Sequence, residues 1–453
     1  MKHLQKRTFI LEENMTKVIF TLALPIMFNN LSQTLYNLAD TFWVSRLGEI
    51  EFAATSFVWP VLFLIISLGM GMNIAGTALI SQHIGAKENK EANEIAGQLF
   101  TFSIIVSLIF STFGFILTPS IVNMMGAKGD LFVYSKQYLS IMFFDIPILY
   151  IVYVFTSIRQ GQGDTLTPMI INVGSVVLNI VLDPLFIFTL NLGVRGAAVA
   201  TVLSKAVFSF YILYLLFFKK DGIYITTKSL KLKEKLIKKI ISIGLPASLG
   251  QAGSAIGFII LNVFVVSFGD FTLAAFGIGN RINSLVLMPV MGIGSALATI
   301  IGQNLGANNK SRAKEAFKKS LSISVLFMII GAIILVPTSE GIIRIFAKEE
   351  EVISQGTYYL KLIASTLPLM GIFNCLMGTF QGSGHTIYAM FMDLGRLWGL
   401  RIPMILLFKK HTDLGSKSVW FAMVISNFII CCIGMAIYME GKWQEKVNNR
   451  YTR

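Results

Sequence analysis

Long apolar stretches, separated by short polar ones, follow one another along almost all of the 453 residues. A helix that crosses a bilayer needs about 20 mostly apolar residues, and twelve stretches reach that length. They lie near residues 16–40, 52–81, 94–118, 133–157, 166–190, 196–218, 238–268, 273–303, 317–337, 354–378, 386–408 and 418–439. The pattern predicts an all-α integral membrane protein with twelve transmembrane helices. An even number of spans places both termini on the same side.

The second half of the chain repeats the first at a constant shift of 221 residues. The matching pairs include Pro25 and Pro246, Gly71 and Gly292, Gln82 and Gln303, Glu94 and Glu315, and Pro147 and Pro368. Apolar helices do not share Pro, Gly, Gln and Glu by default, so chance does not explain the matches. Six spans in each half predict two pseudo-symmetric bundles, inserted as parallel repeats. Such architectures typically hold a substrate between the halves and rock them for alternating access.

Charged residues mark the span ends and the middle of the chain. The longest charged segment, residues 219–237, predicts a cytoplasmic linker between an N-lobe over 1–218 and a C-lobe over 238–453. Of the lysines and arginines near the span ends, 24 lie on the side of the termini and 10 on the opposite side. Because basic residues favour the cytoplasmic side, we expect a multi-pass plasma (inner) membrane protein with both termini in the cytoplasm.

Composition supports this class and narrows the function. The chain is 54% hydrophobic and 14% charged, whereas soluble domains carry about 25% charged residues. Its net charge of +14 follows from the loop lysines and arginines, so no nucleic-acid partner is needed. There is no G-x-x-x-x-G-K-S/T phosphate loop, and the three cysteines and four histidines lack disulfide or metal spacing. We expect a transporter, not an enzyme, without a cofactor and driven by an ion gradient.

Acidic residues inside the predicted spans concentrate in the first half. Asp40, Asp145 and Asp183 lie in the first, fourth and fifth spans, whereas Asp393 lies near one end of the eleventh. A charged side chain at the bilayer centre costs about 2.5–3.5 kcal/mol on insertion scales, so such acids are functional by default. For Asp145 and Asp393, a structural and a functional role are equally open.

Two pairs at i,i+4 spacing indicate how these acids can meet. Tyr36 and Asp40 share one face of the first span, and Asn179 and Asp183 share one face of the fifth. Thr201 begins the membrane part of the sixth span. Two carboxylates, an amide oxygen and a hydroxyl suit a hard cation such as Na⁺. Two poorly hydrated carboxylates also suit a proton, so both ions stay open.

The chain resembles the multidrug and toxic compound extrusion (MATE) family over essentially its whole length, and the resemblance rests on a set of features that occur in the family's order. The features are the two six-span halves, Pro25 in the first span, and the Tyr36–Asp40 and Asn179–Asp183 faces. The resemblance implies an antiporter that exports bulky amphipathic, often cationic, organic compounds in exchange for H⁺ or Na⁺. It is similar to the branch with its cation site in the N-lobe. The residues that it assigns to that ion are Asp40, Asn179, Asp183 and Thr201.

Further residues are expected to support the site. Gln33 and Asn37 share a neighbouring face of the first span. The resemblance places Gln33, Tyr36 and Tyr138 near the ion site or its cavity, and Asp145 is a further supporting candidate. Pro25 removes a helix hydrogen bond, and we hypothesise that the first helix bends there when Asp40 changes protonation or ion occupancy. A static kink is the alternative. A monomer in the lipid bilayer is expected.

Two other functions are weighed. A lipid-linked oligosaccharide flippase of a related fold predicts a strongly cationic central cavity, whereas the acids in the spans favour cations. An intramembrane aspartyl protease is suggested by Gly161-Gln162-Gly163-Asp164, which matches a G-x-G-D motif. The repeat copy of this motif has His385 in place of the acid. Turns followed by helix starts explain both copies better.

Overall fold

The computed structural model describes residues 2–219 and 222–446, with side chains from Gln5 onward. Every regular element among these residues is a helix. The first half forms α1 (Lys2–Glu12), α2 (Met15–Ser45), α3 (Glu49–Gly85), α4 (Asn89–Met124), α5 (Gly129–Gly161), α6 (Leu166–Pro184) and α7 (Val194–Phe217). A π-helical turn, Leu185–Thr189, continues α6. The helix α1 was not predicted, because its sequence is too polar and too short to form a span.

The second half follows the same order. It forms α8 (Glu234–Val266), α9 (Asp270–Gly306), α10 (Lys310–Phe346), α11 (Glu350–Ser365), α12 (Leu367–Gly382), α13 (Thr386–Leu394), α14 (Ile402–His411) and α15 (Lys417–Met439). A π-helical segment, Gly395–Arg401, joins α13 to α14 without a break. Two short 3-10 helices, Thr227–Leu230 and Lys442–Gln444, lie before α8 and after α15.

The twelve predicted spans all correspond to helical segments. Ten single helices in the described part of the chain are long and apolar enough to cross a membrane. An eleventh span consists of α11 and α12, which meet at an angle of 52°, and the run from α13 to α14 is the twelfth. The bend falls at Thr366, two residues before Pro368, because proline has no N–H to donate to the preceding turn and its ring clashes with that turn. The all-α fold with twelve membrane helices is confirmed.

The segment predicted as a linker is tied to the first half. The amide nitrogen of Gln98 in α4 donates to the carbonyls of Ser229 at 2.8 Å and Lys231 at 2.7 Å. The side-chain oxygen of Gln98 accepts from the backbone N–H of Lys233 at 2.6 Å. One buried glutamine therefore satisfies three backbone groups of an otherwise irregular segment. Residues 220–221 and both extreme ends of the predicted lobes lie outside the described residues.

The first part of α2 packs against the second half of the molecule, and the first part of α8 packs against the first half. Ile19 of α2 is fully buried in an apolar cluster with Ile300 of α9. Its repeat partner, Ile240 of α8, is buried in a second cluster with Leu79 of α3. Each cluster thus contains side chains from both halves. The internal repeat is therefore reproduced in the packing, and contacts between the halves hold the bundle together.

Glycines bring the carboxyl ends of α3 and α9 into direct backbone contact. A Cβ on Gly85 would lie 2.0 Å from the carbonyl oxygen of Gln303, and a Cβ on Gly306 would lie 2.0 Å from that of Gln82. Helices approach this closely only where a Cβ is missing. The crossing joins the two halves at one side of the bundle. Both described ends of the chain lie at this side, which we call the terminal face.

The helix α1 lies on the terminal face and contacts both halves. Arg7 donates through a guanidinium nitrogen to the last carbonyl of α3 at 2.8 Å. Arg312 of α10 donates to the carbonyl of Ile10 at 3.3 Å, and the side chain of Ile10 is fully buried. Near the other end of the chain, Lys446 donates to the last carbonyl of α9 at 2.9 Å. Both described chain ends therefore lie at the same face.

Candidate functional site

The helix α2 brings Tyr36 and Asp40 to the interior of the first half. The hydroxyl groups of Tyr36 and of Thr201 in α7 lie 3.2 Å apart. One carboxylate oxygen of Asp40, Oδ1, is buried and has no hydrogen-bond partner among the described residues. Gln33 and Asn37 are exposed instead. The face carrying Tyr36 and Asp40 therefore forms the inner side of α2, and the neighbouring face points away from these contacts.

The helix α6 contributes Asn179 and Asp183, which are 1% and 0% exposed. The amide nitrogen of Asn179 donates to Oδ1 of Asp183 at 3.1 Å. The amide oxygen of Asn179 and Oδ2 of Asp183 are both buried and have no partner in the described part of the chain. Buried polar atoms are nearly always hydrogen-bonded or bound to an ion or water. Two orphaned oxygens on one helix face are therefore a feature that calls for a ligand.

The helices α5 and α7 contribute an ion pair beside these groups. Asp145 of α5 is 2% exposed, and its Oδ2 lies 2.6 Å from the ammonium of Lys205 in α7. Its Oδ1 is buried without a partner among the described residues. Lys205 therefore forms an ion pair between helices. Asp145, left open between two roles by the sequence, has a lysine partner and one unsatisfied oxygen.

These side chains form one electrostatic unit, which we call the acid cluster: Asp40, Asp145, Asp183 and Lys205. The charge of Asp40 acts on Asp183, and the charge of Lys205 acts on Asp40. Tyr138, which is 8% exposed, lies within range of all three carboxylates. With every member ionised, three negative charges face one positive charge. The cluster is therefore built to attract cations.

The second half has no counterpart of this cluster at the repeat positions. At the shift of 221, Asp40 corresponds to Leu261; no acid lies at 403–406, around the position that matches Asp183, and no lysine lies at 426–428, around the position that matches Lys205. The aromatic position does repeat, because Tyr138 corresponds to Tyr359. The two halves therefore share a fold but not their chemistry, as the placement of the acids in the sequence predicts.

Asp393 has a different environment in the second half. Its carboxylate is 3.8 Å from the guanidinium of Arg396, which also stacks over the ring of Phe373 at 4.3 Å. Nearby, Arg401 donates to Ser426 at 3.1 Å and to Asn427 at 2.9 Å. Two arginines and one acid give this region a net positive charge. It does not offer a second site for a cation.

The G-x-G-D motif lies on the terminal face, outside the spans. Asp164 accepts hydrogen bonds from the backbone N–H and the hydroxyl of Thr167, at 3.2 and 2.8 Å, and lies 3.1 Å from the ammonium of Lys6. Burial alone raises the pKa of Asp164, but Lys6 and the Thr167 hydrogen bonds outweigh it, so the pKa lies below its ordinary value. This acid caps the first turn of α6 and ties α1 to it.

Pro25 lies inside α2, which runs unbroken from Met15 to Ser45. One turn further along, Asn29 accepts a hydrogen bond from Asn172 of α6 at 3.0 Å. This bond ties α2 to the helix that carries Asn179 and Asp183. Bending of α2 at Pro25 remains a prediction.

The donor set determines which ligands can bind. No group of three or more His, Cys, Asp or Glu side chains in the described ranges is arranged to hold a metal ion. The acid cluster and its neighbours instead offer carboxylate oxygens, the amide oxygen of Asn179 and the hydroxyl of Thr201. Oxygen donors of this mixed kind suit a proton or a hard monovalent cation.

Comparison with known proteins places this geometry in a wider context. A family model described as MatE matches the chain twice, over residues 25–185 and 246–407. The two matches begin 221 residues apart, which is the shift of the internal repeat. Together they cover more than half of the chain, including Asp40, Asn179 and Asp183.

Individual proteins match over nearly the full length. The chain is 26% identical over 430 residues to "Probable multidrug resistance protein YoeA" of Bacillus subtilis, covering 93% of each chain. It is 28% identical over 445 residues to "Probable multidrug resistance protein NorM" of Thermotoga maritima, covering 95% of this chain and 93% of that one. A solved structure, the outward-facing conformation of a multidrug resistance MATE family transporter, matches with a TM-score of 0.87 at 29% identity. That match covers 98% of this chain and 97% of the other.

Proposed function

The chain belongs to the MatE family, and from that premise we propose that it is a secondary antiporter. It exports bulky amphipathic, often cationic, organic compounds in exchange for H⁺ or Na⁺. The members of this family are transporters, so the protease alternative is excluded. The relatives named for multidrug resistance support the class of cargo, and the acid cluster supports a coupling cation.

One observation carries the proposal. Asp40, Asn179 and Asp183 each hold a buried side-chain oxygen that has no hydrogen-bond partner among the described residues. Leaving such groups unsatisfied costs about 1–3 kcal/mol each, and more when they are charged. A cation or proton bound between them removes this cost. The hydroxyl of Thr201, held by Tyr36, completes the proposed set of oxygen donors.

The transport cycle follows from competition for negative charge. With the terminal face closed by the crossing of α3 and α9, the opposite side is free to open and admit the ion. Binding of the ion at Asp40 and Asp183 lowers the negative charge of the cluster and releases the cationic cargo. The loaded protein then turns inward, gives up the ion to the cytoplasm and takes the next cargo molecule. We place the terminal face, with both termini, in the cytoplasm because of its basic loops.

The hinge hypothesis belongs to this cycle. Neutralising Asp40 changes the attraction between α2 and its neighbours, and Pro25 is the position where α2 lacks a backbone hydrogen bond. A bend there would move the face of Tyr36 and Asp40 relative to Asn179 and Asp183. The protein acts as a monomer in this scheme, because all the proposed ion ligands lie within one chain.

Transport in proteoliposomes tests the proposal. A pH gradient and a Na⁺ gradient are imposed separately, and export of a lipophilic fluorescent cation is followed in each. We expect one gradient to drive export in the wild type and the variant Asp40→Asn to abolish it. The control is Asp270→Asn, which changes an exposed acid at the start of α9. Full gradient-driven export by Asp40→Asn would remove the proposed coupling site.

The flippase alternative makes the opposite prediction about charge. A carrier of lipid-linked phosphates would be inhibited by anionic head groups and would be indifferent to the loss of Asp40. The acids of the first half favour cations, although Arg396 and Arg401 give the second half a positive region. Scrambling of a fluorescent lipid-linked oligosaccharide in the same vesicles distinguishes the two functions.

A further inference from the structure

Lys205 is the one lysine or arginine whose charge acts on Asp40 in the described structure. It sits in α7 with its ammonium 2.6 Å from Oδ2 of Asp145, and its side chain is 23% exposed. A lysine head group is a compact point charge with three donors on a flexible stem. Its pairing with Asp145 uses only part of this capacity. Lys205 therefore has donors left for a second acceptor.

The helix geometry points Lys205 towards two acids at once. Thr201 and Lys205 are four residues apart and share one face of α7, and Tyr36 and Asp40 do the same on α2. The contact between Tyr36 and Thr201 fixes these two faces against each other. Asp145 approaches the same face from α5. The ammonium of Lys205 therefore pairs with Asp145, and its charge also acts on Asp40.

The surroundings contain no second cation to share this role. The groups facing the pocket are Tyr36 and Asp40 from α2, Tyr138 and Asp145 from α5, Asp183 from α6 and Lys205 from α7. The tyrosines are neutral. One unsatisfied oxygen remains on each of Asp40, Asp145 and Asp183. When the coupling ion leaves, the lysine is the only described positive side chain that can compensate the exposed carboxylates.

Resting on the proposed function, we propose that Lys205 is a tethered counter-ion that competes with the coupling cation for Asp40. With the cation bound, Lys205 keeps its pairing with Asp145. When the cation leaves, the ammonium moves to Asp40 and limits the build-up of negative charge in the cluster. Lys205 thereby sets the affinity for the coupling ion and promotes its release. It is a positioning residue, because it acts through Asp40 and touches neither ion nor cargo.

Two variants test this competition. Asp145→Asn keeps the lysine but removes its alternative partner, so Lys205 is driven onto Asp40. The double variant Asp145→Asn with Lys205→Met removes both members of the pair together. Proteoliposomes report the half-saturating concentration of the coupling ion for drug export. We expect it to rise at least tenfold in Asp145→Asn and to fall back to the wild-type value or below in the double variant.

A merely structural ion pair gives a different result. It predicts equal half-saturation in the two variants, whatever happens to their stability, and that equality would overturn the proposal. A wild-type protein without gradient-driven export would instead contradict the proposed function, so the two failures are distinguishable. Thermal denaturation of each variant in detergent verifies that it is folded before transport is compared.

A spectroscopic measurement separates movement of the lysine from a fixed charge acting at a distance. The ¹⁵N signal of the Lys205 ammonium, identified by its loss in Lys205→Arg, is recorded with and without a saturating concentration of the coupling ion. We expect it to shift in the wild type and to stay in the Asp145-paired position in Asp40→Asn. An unchanged signal in the wild type would show that the lysine stays on Asp145 and would overturn the exchange.

Discussion

Gln82 and Gln303, which are repeat partners, each reach across to the other half of the molecule. The side-chain amide of Gln82 donates to the carbonyl of Gly382 at 3.3 Å, and that of Gln303 donates to the carbonyl of Gly161 at 2.9 Å. Gly161 and Gly382 are themselves repeat partners. This symmetric pair of hydrogen bonds lies beside the crossing of α3 and α9 and fastens the terminal face.

The first prediction concerns this fastening. Replacing both glutamines by alanine removes two hydrogen bonds between the halves, each worth about 0.5–1.5 kcal/mol. We expect the closed terminal face to open roughly tenfold more often, because 1.4 kcal/mol corresponds to a factor of ten. The measurement is thiol labelling of Ser295→Cys from the terminal side, in a background without the native cysteines. Ser295 lines a cavity of about 50 Å³ between the halves.

Gln355 offers a matched control for this experiment. It bonds to Thr272 and Glu351, near the ends of α9 and α11 that lie away from the terminal face. Gln355→Ala should leave the labelling rate of Ser295→Cys unchanged. Equal labelling of all the variants would show that the glutamines do not hold the face closed.

The second prediction uses the glycines of the same crossing. Gly306→Ala places a Cβ within 2.0 Å of the carbonyl oxygen of Gln82, which is backbone and cannot move aside cheaply. We expect lost export together with faster labelling of Ser295→Cys. Gly277→Ala in the same helix meets nothing within 4 Å. It should be neutral or slightly stabilising, because alanine is about 1 kcal/mol more favourable than glycine inside a helix.

The third prediction concerns Asn179. Replacement by leucine keeps the approximate size but removes the donor to Asp183 and the unpartnered amide oxygen. We expect the half-saturating concentration of the coupling ion to rise at least tenfold, while binding of the drug in the absence of ion changes little. Val177→Ala, an exposed position on the same helix, is the control. An equal effect of both substitutions would indicate a general disturbance of α6.

The fourth prediction is a pH dependence at the terminal face. The pKa of Asp164 lies below its ordinary value in the folded protein, so its contacts with Lys6 and Thr167 stabilise the fold while it is ionised. This contribution is fully present above pH of about 4 and disappears as the pH falls through the lowered pKa. At pH 7 we expect Asp164→Asn to lose about 1.5–3 kcal/mol, since hydrogen bonds to charged groups have this strength.

Thermal denaturation in detergent measures the difference between Asp164→Asn and the wild type as a function of pH. The variant should denature at a lower temperature at neutral pH, and the gap should narrow as the medium becomes acidic. Glu445→Gln serves as a control, because it removes a carboxylate from the same face without these partners. A gap that stays constant down to pH 3 would contradict the role of the ionised carboxylate.

Local sequence features predicted much of the candidate site. The i,i+4 spacing of Tyr36 with Asp40 and of Asn179 with Asp183 placed these pairs on shared faces, and the structure brings the faces together. The pairing of Lys205 with Asp145 required two helices to meet, and no spacing within either helix specifies that partner. Gln33 and Asn37 illustrate the same limit. Their spacing placed them on a neighbouring face of α2, but it did not specify whether that face is buried or exposed.

The sequence by itself determined the number of spans, the 221-residue repeat and the concentration of acids in the first half. These are local or periodic properties, because apolar length and residue type are written along the chain. Only the tertiary structure decided that Gln82 and Gln303 cross between the halves, that α1 lies on the terminal face and that Asp145 takes the ammonium of Lys205. Those contacts depend on the rotation and depth of each helix, which the packing of the whole bundle sets at once.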